Sequence, residues 1–448
     1  MSKLEKNDLI DWFVLGEKPR EDWKIGTEHE KFVFHEDSFK RVGYFGKSGI
    51  SELLNKLAEK NKWEKILENN NTIALRDHTG ASISLEPGGQ LELSGKPLEN
   101  LHQTCKETGL HLKMMKDVMS ELGLSMIGLG YDPKWSRSDQ NWMPKGRYEI
   151  MKNYMPKVGN LGLDMMLRTC TIQVNLDYFS EQDMVQKFQI SLALQSVATA
   201  LFANSPFIEG KASGYLSSRA MVWTDTDPDR TGVPGIVFDP NFGYESWLNY
   251  ILQVPMYFIY REGKYIDVSG QSFKDFMDGK LIGFEGQYPT IKDWEDHITV
   301  AFPEVRLKQY LEMRGADGGP WNIICALPAL WVGLLYDDQS QSEAFDLAKP
   351  LMDVGMLEEG RISAAKLGLG GKIGENSIEY LATEMLKISS SGLSRRNKLD
   401  KKGIDERQFL DPLFHILQNK ETGAEKLLKN YNNSWSKDIN KIFTESSY

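Results

Sequence analysis

Two short segments on either side of a Pro-Gly-Gly bend constrain the fold of this chain more than any other feature. Ile83 and Leu85 precede the bend and Leu91 and Leu93 follow it, with polar residues between them. Alternation with a period of two is typical of strands with one buried face. By itself, the pattern fits either a solvated strand face or a carboxylate site for a hard cation such as magnesium. The polar residues on the two sides of the bend are Glu86, Gln90, Glu92 and Ser94.

A second acidic pair lies in the predicted strand from Ile25 to Val33, where Glu28 and Glu30 share one face. On its own, this pair is equally consistent with an exposed sheet edge. If this strand lies beside the bend described above, four carboxylates converge together with Gln90. Carboxylates crowded in a partly buried site require a counter-charge, so their convergence would indicate bound cations.

A third polar strand is predicted where Tyr310, Glu312 and Arg314 share one face directly before a glycine-rich stretch. An acid and an arginine two residues apart fit phosphate chemistry, although a surface salt bridge is the alternative. The stretch from Gly43 to Ser48 is not a phosphate loop, because its two glycines are too close together and no strong apolar strand precedes it. A bound nucleotide would need another scaffold, with carboxylate-bound magnesium carrying much of the phosphate charge.

The composition predicts a globular protein with a large core. The chain has 448 residues, of which 41% are hydrophobic, and helical and strand patterns alternate along it, which favours an α+β fold. No internal repeat or low-complexity linker interrupts the pattern. We therefore expect a single catalytic domain, residues 1–448, in which residues 340–448 form a helical C-terminal part.

Charge and cysteine content argue against several classes of protein. Lys plus Arg number 53 against 63 for Asp plus Glu, a net charge of −10, which argues against binding to nucleic acid. No apolar run reaches the roughly 18 residues of a membrane span and the N-terminus is charged, so we expect a cytoplasmic protein without a membrane partner. The three cysteines form no CxxC pair, which excludes a disulfide scaffold or a cysteine-rich zinc module but leaves a single redox pair open.

Five motifs carry a resemblance to a known family. They are similar, in content and in order, to motifs of the glutamate–cysteine ligases of the plant type, which also occur in many proteobacteria, and the resemblance runs from about Trp23 to the C-terminus. It implies a carboxylate–amine ligase fold like that of glutamine synthetase, with a curved antiparallel sheet forming an active-site funnel and helices outside it. The motifs are Gly26-Thr27-Glu28-His29-Glu30, Glu86-Pro87-Gly88-Gly89-Gln90-Leu91-Glu92, Met165-Met166-Leu167-Arg168-Thr169-Cys170-Thr171, Trp223-Thr224-Asp225-Thr226-Asp227 and Glu312-Met313-Arg314-Gly315-Ala316-Asp317.

The resemblance also implies a reaction. The γ-carboxylate of L-glutamate attacks the terminal phosphorus of magnesium-bound ATP, and the amine of L-cysteine then displaces phosphate from the γ-glutamyl phosphate. The product, γ-glutamylcysteine, is the first intermediate of glutathione biosynthesis. The implied partners are these small molecules, with the protein a monomer or a weak homodimer. Two alternatives stay open: a ligase of the same fold that uses another amine, and a non-catalytic metabolite-binding protein.

Site residues follow from the same resemblance. Arg314 is expected to stabilise the transferring phosphoryl group, and Cys105 and Cys325 match the partners of a redox-sensitive disulfide. The expected metal ligands are Glu28, Glu30, Glu86, Gln90, Glu92, Gln173 and Glu312. The expected amino-acid pocket consists of Arg147, Arg219, Tyr257 and Trp321. From their sequence context alone, the two cysteines could equally be buried apolar residues that never meet.

Overall fold

A computed structural model describes residues 3–448. The strands are β1 (Ile25–His35), β2 (Glu64–Glu68), β3 (Asn71–Arg76), β4 (Ser82–Leu85), β5 (Leu91–Ser94), β6 (Leu124–Ile127), β7 (Thr171–Leu176), β8 (Phe207–Ile208), β9 (Lys211–Ala212), β10 (Thr231–Gly232), β11 (Phe258–Arg261), β12 (Lys264–Asp267), β13 (Phe302–Pro303), β14 (Val305–Leu307), β15 (Leu311–Asp317), β16 (Lys372–Ile373) and β17 (Asn376–Ser377). The helices are α1 (Lys6–Val14), α2 (Ile50–Asn61), α3 (Leu101–Met119), α4 (Gly146–Tyr154), α5 (Gly162–Arg168), α6 (Glu181–Leu201), α7 (Ser218–Val222), α8 (Tyr244–Gln253), α9 (Phe273–Met277), α10 (Ile291–Ile298), α11 (Trp321–Leu335), α12 (Asp338–Ala348), α13 (Val354–Leu367), α14 (Ile378–Arg396), α15 (Asp411–Asn419), α16 (Gly423–Asn432) and α17 (Lys441–Glu445).

One large sheet organises the molecule. Its strands run in the order β14-β15-β7-β1-β5-β4-β3-β2, and β6 pairs with the second half of β1. All neighbours in this sheet are antiparallel. The prediction of an α+β fold built on an antiparallel sheet is therefore confirmed.

The central strand β1 divides its side chains between two faces. Glu28 and Glu30 are partly exposed on one face, whereas His29 and Lys31 are fully buried on the other. Helices α3 and α11 pack on that buried face, against β1 and β7. There the Lys31 ammonium donates to the main-chain oxygen of His29 and contacts Nε2 of His111, both at 3.0 Å. The buried lysine thus has hydrogen-bond partners, as burial requires.

Helix α6 is the main helix of the hydrophobic core. The hydroxyl of Ser180 accepts a hydrogen bond from the main-chain nitrogen of Asp183 at 3.3 Å, which is the N-terminal cap that the sequence predicts. The C-terminal helices α12, α13 and α14 pack against α6, and α12 and α14 also pack against α11. The helical C-terminal part thus shares a core with the sheet, while the assignment of one catalytic domain stays a prediction. Among residues 3–448, no helix is both long enough and apolar enough to cross a membrane.

Two connections lie over the polar face of the sheet. One comprises residues 132–170 and contains α4 and α5; the other comprises residues 213–232 and contains α7. Side chains from both connections enclose a cavity together with Glu30 of β1 and Gln173 of β7. This cavity is the candidate active site.

Candidate active site

The polar face of the sheet brings the predicted acidic residues together through strand register. Glu30 of β1 pairs with Glu92 of β5, and Glu28 pairs with Gln173 of β7. One strand further, Glu312 of β15 lies opposite another residue of β7. Because side chains of directly paired residues point to the same face, four strands that are well separated in the sequence contribute to one surface.

Three neighbouring residues each hold one of the carboxylates in place. The amide of Asn175 donates to Glu28 at 2.8 Å, and the hydroxyl of Ser84 donates to Glu92 at 2.8 Å. The main-chain nitrogen of Thr171 donates to Glu30 at 2.9 Å. These contacts satisfy one oxygen of each carboxylate and leave further acceptor capacity on each side chain.

The Pro-Gly-Gly bend between β4 and β5 places Glu86 at the cavity. Hydrogen bonds from Glu86 N to Gln90 O and from Gly89 N to Glu86 O, both 2.9 Å, close the turn. Gly89 has a φ of +79°, a conformation that favours glycine. At Gly88 a side chain would meet the main-chain oxygen of Leu167 at 2.5 Å. The two glycines therefore permit both the turn and its close approach to α5.

Gln90 links this bend to the connection above it. Its side chain is buried, and its amide donates to the main-chain oxygens of Thr169 at 2.9 Å and Met166 at 3.3 Å. Its Oε1 is buried without a hydrogen-bond partner among the described residues. The two hydrogen bonds donated by the amide nitrogen indicate a structural role for Gln90. The oxygen Oε1, which has no such partner, is the atom available to a ligand.

Four of the carboxylates have raised pKa values. Burial, and then the charges of Glu312 and Glu92, raise the pKa of Glu28 to about 7. Burial, followed by Glu86 and Glu92, raises the pKa of Glu30 well above its usual range. Burial also raises the pKa values of Glu86 and Glu92, and Glu86 is a further cause of the shift at Glu92. Desolvation and mutual repulsion thus disfavour full ionisation of the group in the absence of a cation.

The donor set fits a hard cation, because magnesium takes oxygen ligands and usually retains waters or phosphate oxygens as well. Within residues 3–448, no three His, Cys, Asp or Glu side chains converge closely enough to hold an ion by themselves. A cation bound here would therefore share its coordination with ligands from outside the chain, as magnesium does in nucleotide sites.

Glu312 differs from the other acids because three cations surround it. Arg306 approaches its carboxylate at 2.8 Å, Arg314 at 2.5 Å and Lys308 at 3.2 Å. Burial opposes ionisation, but Arg306, Lys308 and Arg314 together hold the pKa of Glu312 well below its usual range. The same guanidinium nitrogen of Arg314 also donates to Gln173 Oε1 at 2.9 Å. Glu312 thus fixes Arg314 through one carboxylate oxygen, while its Oε1 makes no hydrogen bond among the described residues and has only the ion pair with Lys308.

Arg306 and Lys308 are site residues that the sequence analysis missed. They lie on β14 and directly after it, and Arg306 pairs in register with Glu312 across the β14–β15 hairpin. A hairpin prediction for residues 305–313 would have placed them beside the acid, but their charges alone are typical of any protein surface.

The cavity contains two of the four residues predicted for the amino-acid pocket. Arg147 of α4 and Arg219 of α7 line it together with Arg314. Glu30, Glu86, Gln90 and Gln173 line it as well, and the other lining residues are Pro87, Tyr148, Met151, Met165, Met166, Thr169, Thr171, Trp223 and Phe302. The cavity therefore combines three guanidinium groups with two carboxylates.

The structure does not bring Tyr257 or Trp321 to this cavity. Tyr257 is buried, with the guanidinium of Arg230 over its ring at 3.9 Å. Trp321 begins α11 on the reverse side of the sheet, where its indole nitrogen donates to the main-chain oxygen of Cys105 at 3.2 Å. Neither residue lines the cavity, so their assignment to the amino-acid pocket stays a prediction.

Lys145 is another residue that the sequence analysis did not assign to the site. Its ammonium donates to the main-chain oxygen of Leu85 at 2.8 Å, at the start of the Pro-Gly-Gly bend. Burial lowers the pKa of Lys145 to about 8, against the opposing effect of Glu86. The side chain thus supplies positive charge near Glu86 and anchors α4 to the sheet.

Cys105 and Cys325 lie on adjacent helices, α3 and α11, and both thiols are free and buried. Burial, and next a hydrogen bond with the Cys325 thiol, raise the pKa of Cys105. The two sulfurs are therefore neighbours in the fold. The third cysteine, Cys170, is buried elsewhere, in a cluster with Phe32 and Leu129.

The fold and this site define a class, the carboxylate–amine ligases. The fold is similar to that of a glutamate–cysteine ligase from Francisella tularensis, solved in complex with AMP, with a TM-score of 0.52 and 12% sequence identity over 93% of this chain and 86% of that chain. A family model described as glutamate-cysteine ligase family 2 matches residues 24–445. The chain belongs to this family.

Curated relatives agree with this assignment. The chain is 52% identical over 448 residues to the chloroplastic glutamate–cysteine ligase A of Oryza sativa subsp. indica, covering 99% of this chain and 88% of the relative. It is 51% identical over 445 residues to the chloroplastic enzyme of Arabidopsis thaliana, covering 99% and 83%. The expectation of a cytoplasmic protein is wrong by this comparison, because relatives at this level of identity are named chloroplastic. That expectation rested on the charged N-terminus and on the lack of a long apolar run, which argue against a membrane span or a secretory signal and do not exclude a plastid.

Proposed function

We propose that this chain ligates the γ-carboxylate of L-glutamate to the amine of L-cysteine at the expense of ATP, which is the first step of glutathione biosynthesis. The observation that supports it most is the meeting of Glu30 and Glu86 with Arg219 and Arg314 in one enclosed cavity. Phosphoryl transfer depends on metal-binding carboxylates and on cations that stabilise the developing charge. The names of the curated relatives point to the same reaction.

The proposed reaction has two covalent steps. An oxygen of the glutamate γ-carboxylate attacks the terminal phosphorus of ATP, and the bond from that phosphorus to ADP breaks. The cysteine nitrogen then attacks the acyl carbon, loses a proton, and phosphate leaves. In the first step an anionic carboxylate approaches an anionic phosphate, whereas in the second the nucleophile is the neutral amine and the leaving group is phosphate. Catalysis therefore consists largely of charge neutralisation and orientation.

We propose that Glu28, Glu30, Glu86 and Glu92 hold magnesium, with Gln90 and Gln173 as further oxygen donors. Magnesium bound there would neutralise phosphate charge and polarise the terminal phosphorus. The support for this proposal is the raised pKa of Glu30, which reflects a crowded, partly buried acidic group without enough positive charge of its own.

The arginines have separate proposed roles. Arg314, held by Glu312 and Gln173, would stabilise the transferring phosphoryl group. Arg219 and Arg147 would bind the α-carboxylate of an amino-acid substrate, because a guanidinium can pair with both oxygens of a carboxylate. Apolar walls around them exclude water, which strengthens these charge interactions.

The test is turnover of the purified protein with glutamate, ATP and a panel of amines: cysteine, 2-aminobutyrate, serine and glycine. We expect ADP release matched by γ-glutamylcysteine formation, with the highest kcat/KM for cysteine. A higher kcat/KM for another amine would make the chain a ligase of the same fold with a different substrate. No glutamate-dependent ADP release would refute ligase activity altogether.

We also propose that Cys105 and Cys325 form a reversible disulfide. Its support is their position as neighbouring thiols on two helices that pack against each other. The assembly is proposed to be a monomer or a weak homodimer, which sedimentation velocity over a range of protein concentrations would test.

A further inference from the structure

Asp317, the last residue of β15, is a buried acid that lies outside the cavity and next to α7. Its carboxylate is 1% exposed and accepts three hydrogen bonds. Ser217 donates to one oxygen at 2.7 Å, and Ser205 at 2.6 Å and the main-chain nitrogen of Asn204 at 2.8 Å donate to the other. Space for this carboxylate depends on Gly130, where a Cβ would meet Asp317 Cγ at 2.2 Å.

The two serine hydroxyls connect Asp317 to the first turn of α7. Ser217 is the N-terminal cap of that helix, and its oxygen accepts from the main-chain nitrogen of Ala220 at 3.0 Å. The oxygen of Ser205 accepts from the main-chain nitrogen of Arg219 at 3.3 Å. Each serine hydroxyl has one proton. When that proton is donated to Asp317, the lone pairs of the serine oxygen are free to accept from the main-chain nitrogens of α7. Asp317 therefore fixes the direction of both hydroxyls.

The residue held by this arrangement is Arg219. Its guanidinium is largely buried and donates to the main-chain oxygen of Arg314 at 2.7 Å, and it lines the cavity beside Glu30. Asp317 also supplies negative charge near the buried guanidinium. Asp317 thus contributes to the position of Arg219 and, with Glu304 and Glu30, to its charge environment.

We propose that Asp317 is the positioning residue for the amino-acid substrate, acting through Ser205 and Ser217 to hold Arg219 against the substrate carboxylate. This inference rests on the proposed function, in which Arg219 binds that carboxylate. The Asp317 carboxylate accepts its hydrogen bonds from Ser205, Ser217 and Asn204 and from none of the proposed metal ligands, so its effect should fall mainly on the amino acid. The geometry needed to orient a reacting group is strict, and displacement by about 1 Å costs on the order of 100-fold in rate.

The experiment compares Asp317→Asn, Ser217→Ala and the double variant by steady-state kinetics with glutamate and ATP varied separately. For Asp317→Asn we expect the KM for glutamate to rise by about tenfold or more, since Asn cannot accept all three donors, while the KM for ATP stays within about twofold. Ser217→Ala should act in the same direction. The double variant should be no worse than Asp317→Asn alone, because both changes break one hydrogen-bonded chain.

Asp183→Asn is the matched control. Asp183 is also a buried acid with several donors, namely the main-chain nitrogen of Phe179, Lys187 and Gln341, but it lies at the start of α6 and not beside α7. The Asp183→Asn variant should lower the urea midpoint of unfolding without changing the ratio of the KM for glutamate to the KM for ATP. If Asp317→Asn fails to fold, Ser217→Ala carries the same test.

Two outcomes would overturn the inference. One is an unchanged KM for glutamate in both Asp317→Asn and Ser217→Ala. The other is an equal rise of both KM values, or strictly additive effects in the double variant, which would indicate a general structural role. Turnover of the parent protein with glutamate tests the proposed function separately, because the inference depends only on the ratio between variant and parent.

Discussion

Glu28→Gln is predicted to stabilise the metal-free protein while impairing the enzyme. Glu28 lies on the polar face of β1, and burial and the nearby charges of Glu312 and Glu92 raise its pKa from 4.5 to about 7. In the unfolded chain this acid ionises near its ordinary pKa of about 4.3. Between these two pH values the folded protein keeps a proton that the unfolded chain releases, so the free energy of unfolding falls as the pH rises.

The magnitude follows from the difference between the two pKa values. From 4.5 to about 7, at about 1.4 kcal/mol per pH unit, the cost of ionising Glu28 in the folded state is about 3 kcal/mol. Because the side chain is partly exposed, solvent screening reduces this to about 2 kcal/mol. Glutamine has nearly the same shape and can still accept the hydrogen bond from Asn175, so it removes the charge with little other change.

The assay is urea unfolding of parent and variant in EDTA. At about pH 8.5 the variant should be more stable by about 2 kcal/mol, and at about pH 4.5 the two should be equal. Millimolar magnesium should reduce the difference at the higher pH, because a bound cation stabilises the ionised group. A difference that is independent of pH, or a variant less stable than the parent at the higher pH, would refute the reasoning.

Three further predictions address the proposed chemistry. Glu86→Gln should nearly abolish ADP formation at saturating magnesium while leaving the circular dichroism spectrum unchanged. The control is Glu64→Gln, at an exposed position of β2, which should keep its activity. If Glu86→Gln retains activity within about threefold of the parent, Glu86 is not a metal ligand. Arg314→Lys should lower kcat strongly. One guanidinium nitrogen of Arg314 makes both contacts, to Glu312 and to Gln173, and a lysine ammonium cannot present the rest of the planar fork to a phosphoryl group. A rise in the KM for ATP alone would reassign Arg314 to ground-state binding. Reductant should lower activity reversibly, and Cys105→Ser should have the activity of the reduced protein. Mass spectrometry of mildly oxidised protein should detect a peptide that links Cys105 to Cys325. If this peptide is absent, or if Cys105→Ser still loses activity on reduction, the two cysteines do not form a redox switch.

Local patterns predicted the elements of this fold better than their arrangement. The alternation around Glu86 and the cap at Ser180 depend on neighbours within a few residues, and both are present as β4–β5 and the start of α6. The pairing of β1 with β7 joins segments more than a hundred residues apart. Nothing in either segment specifies that partner, since many strands with one apolar face would pair equally well.

The site shows the same division between local and distant information. The pairing of Glu30 with Glu92 was a conditional prediction, and the register between β1 and β5 fulfils the condition. The sequence does not predict the contact of Arg306 with Glu312, because that contact depends on the register of the β14–β15 hairpin. The resemblance assigns Tyr257 to the amino-acid pocket, whereas in the structure its ring lies under the guanidinium of Arg230. That contact depends on how distant segments pack, which the local sequence around Tyr257 does not specify.

The two faces of the sheet explain how a thiol pair could influence a site that it does not touch. The carboxylates lie on the front of β1, while α3 and α11 pack on the back of β1 and β7. A bond between Cys105 and Cys325 would fix these helices relative to each other directly behind the strands that carry Glu28 and Gln173. Because protein interiors are close-packed, a shift of either helix must be taken up by those strands. Oxidation would thus act on the geometry of the carboxylates and on turnover, and would be unnecessary for folding, since both cysteines are already buried as free thiols in the folded chain.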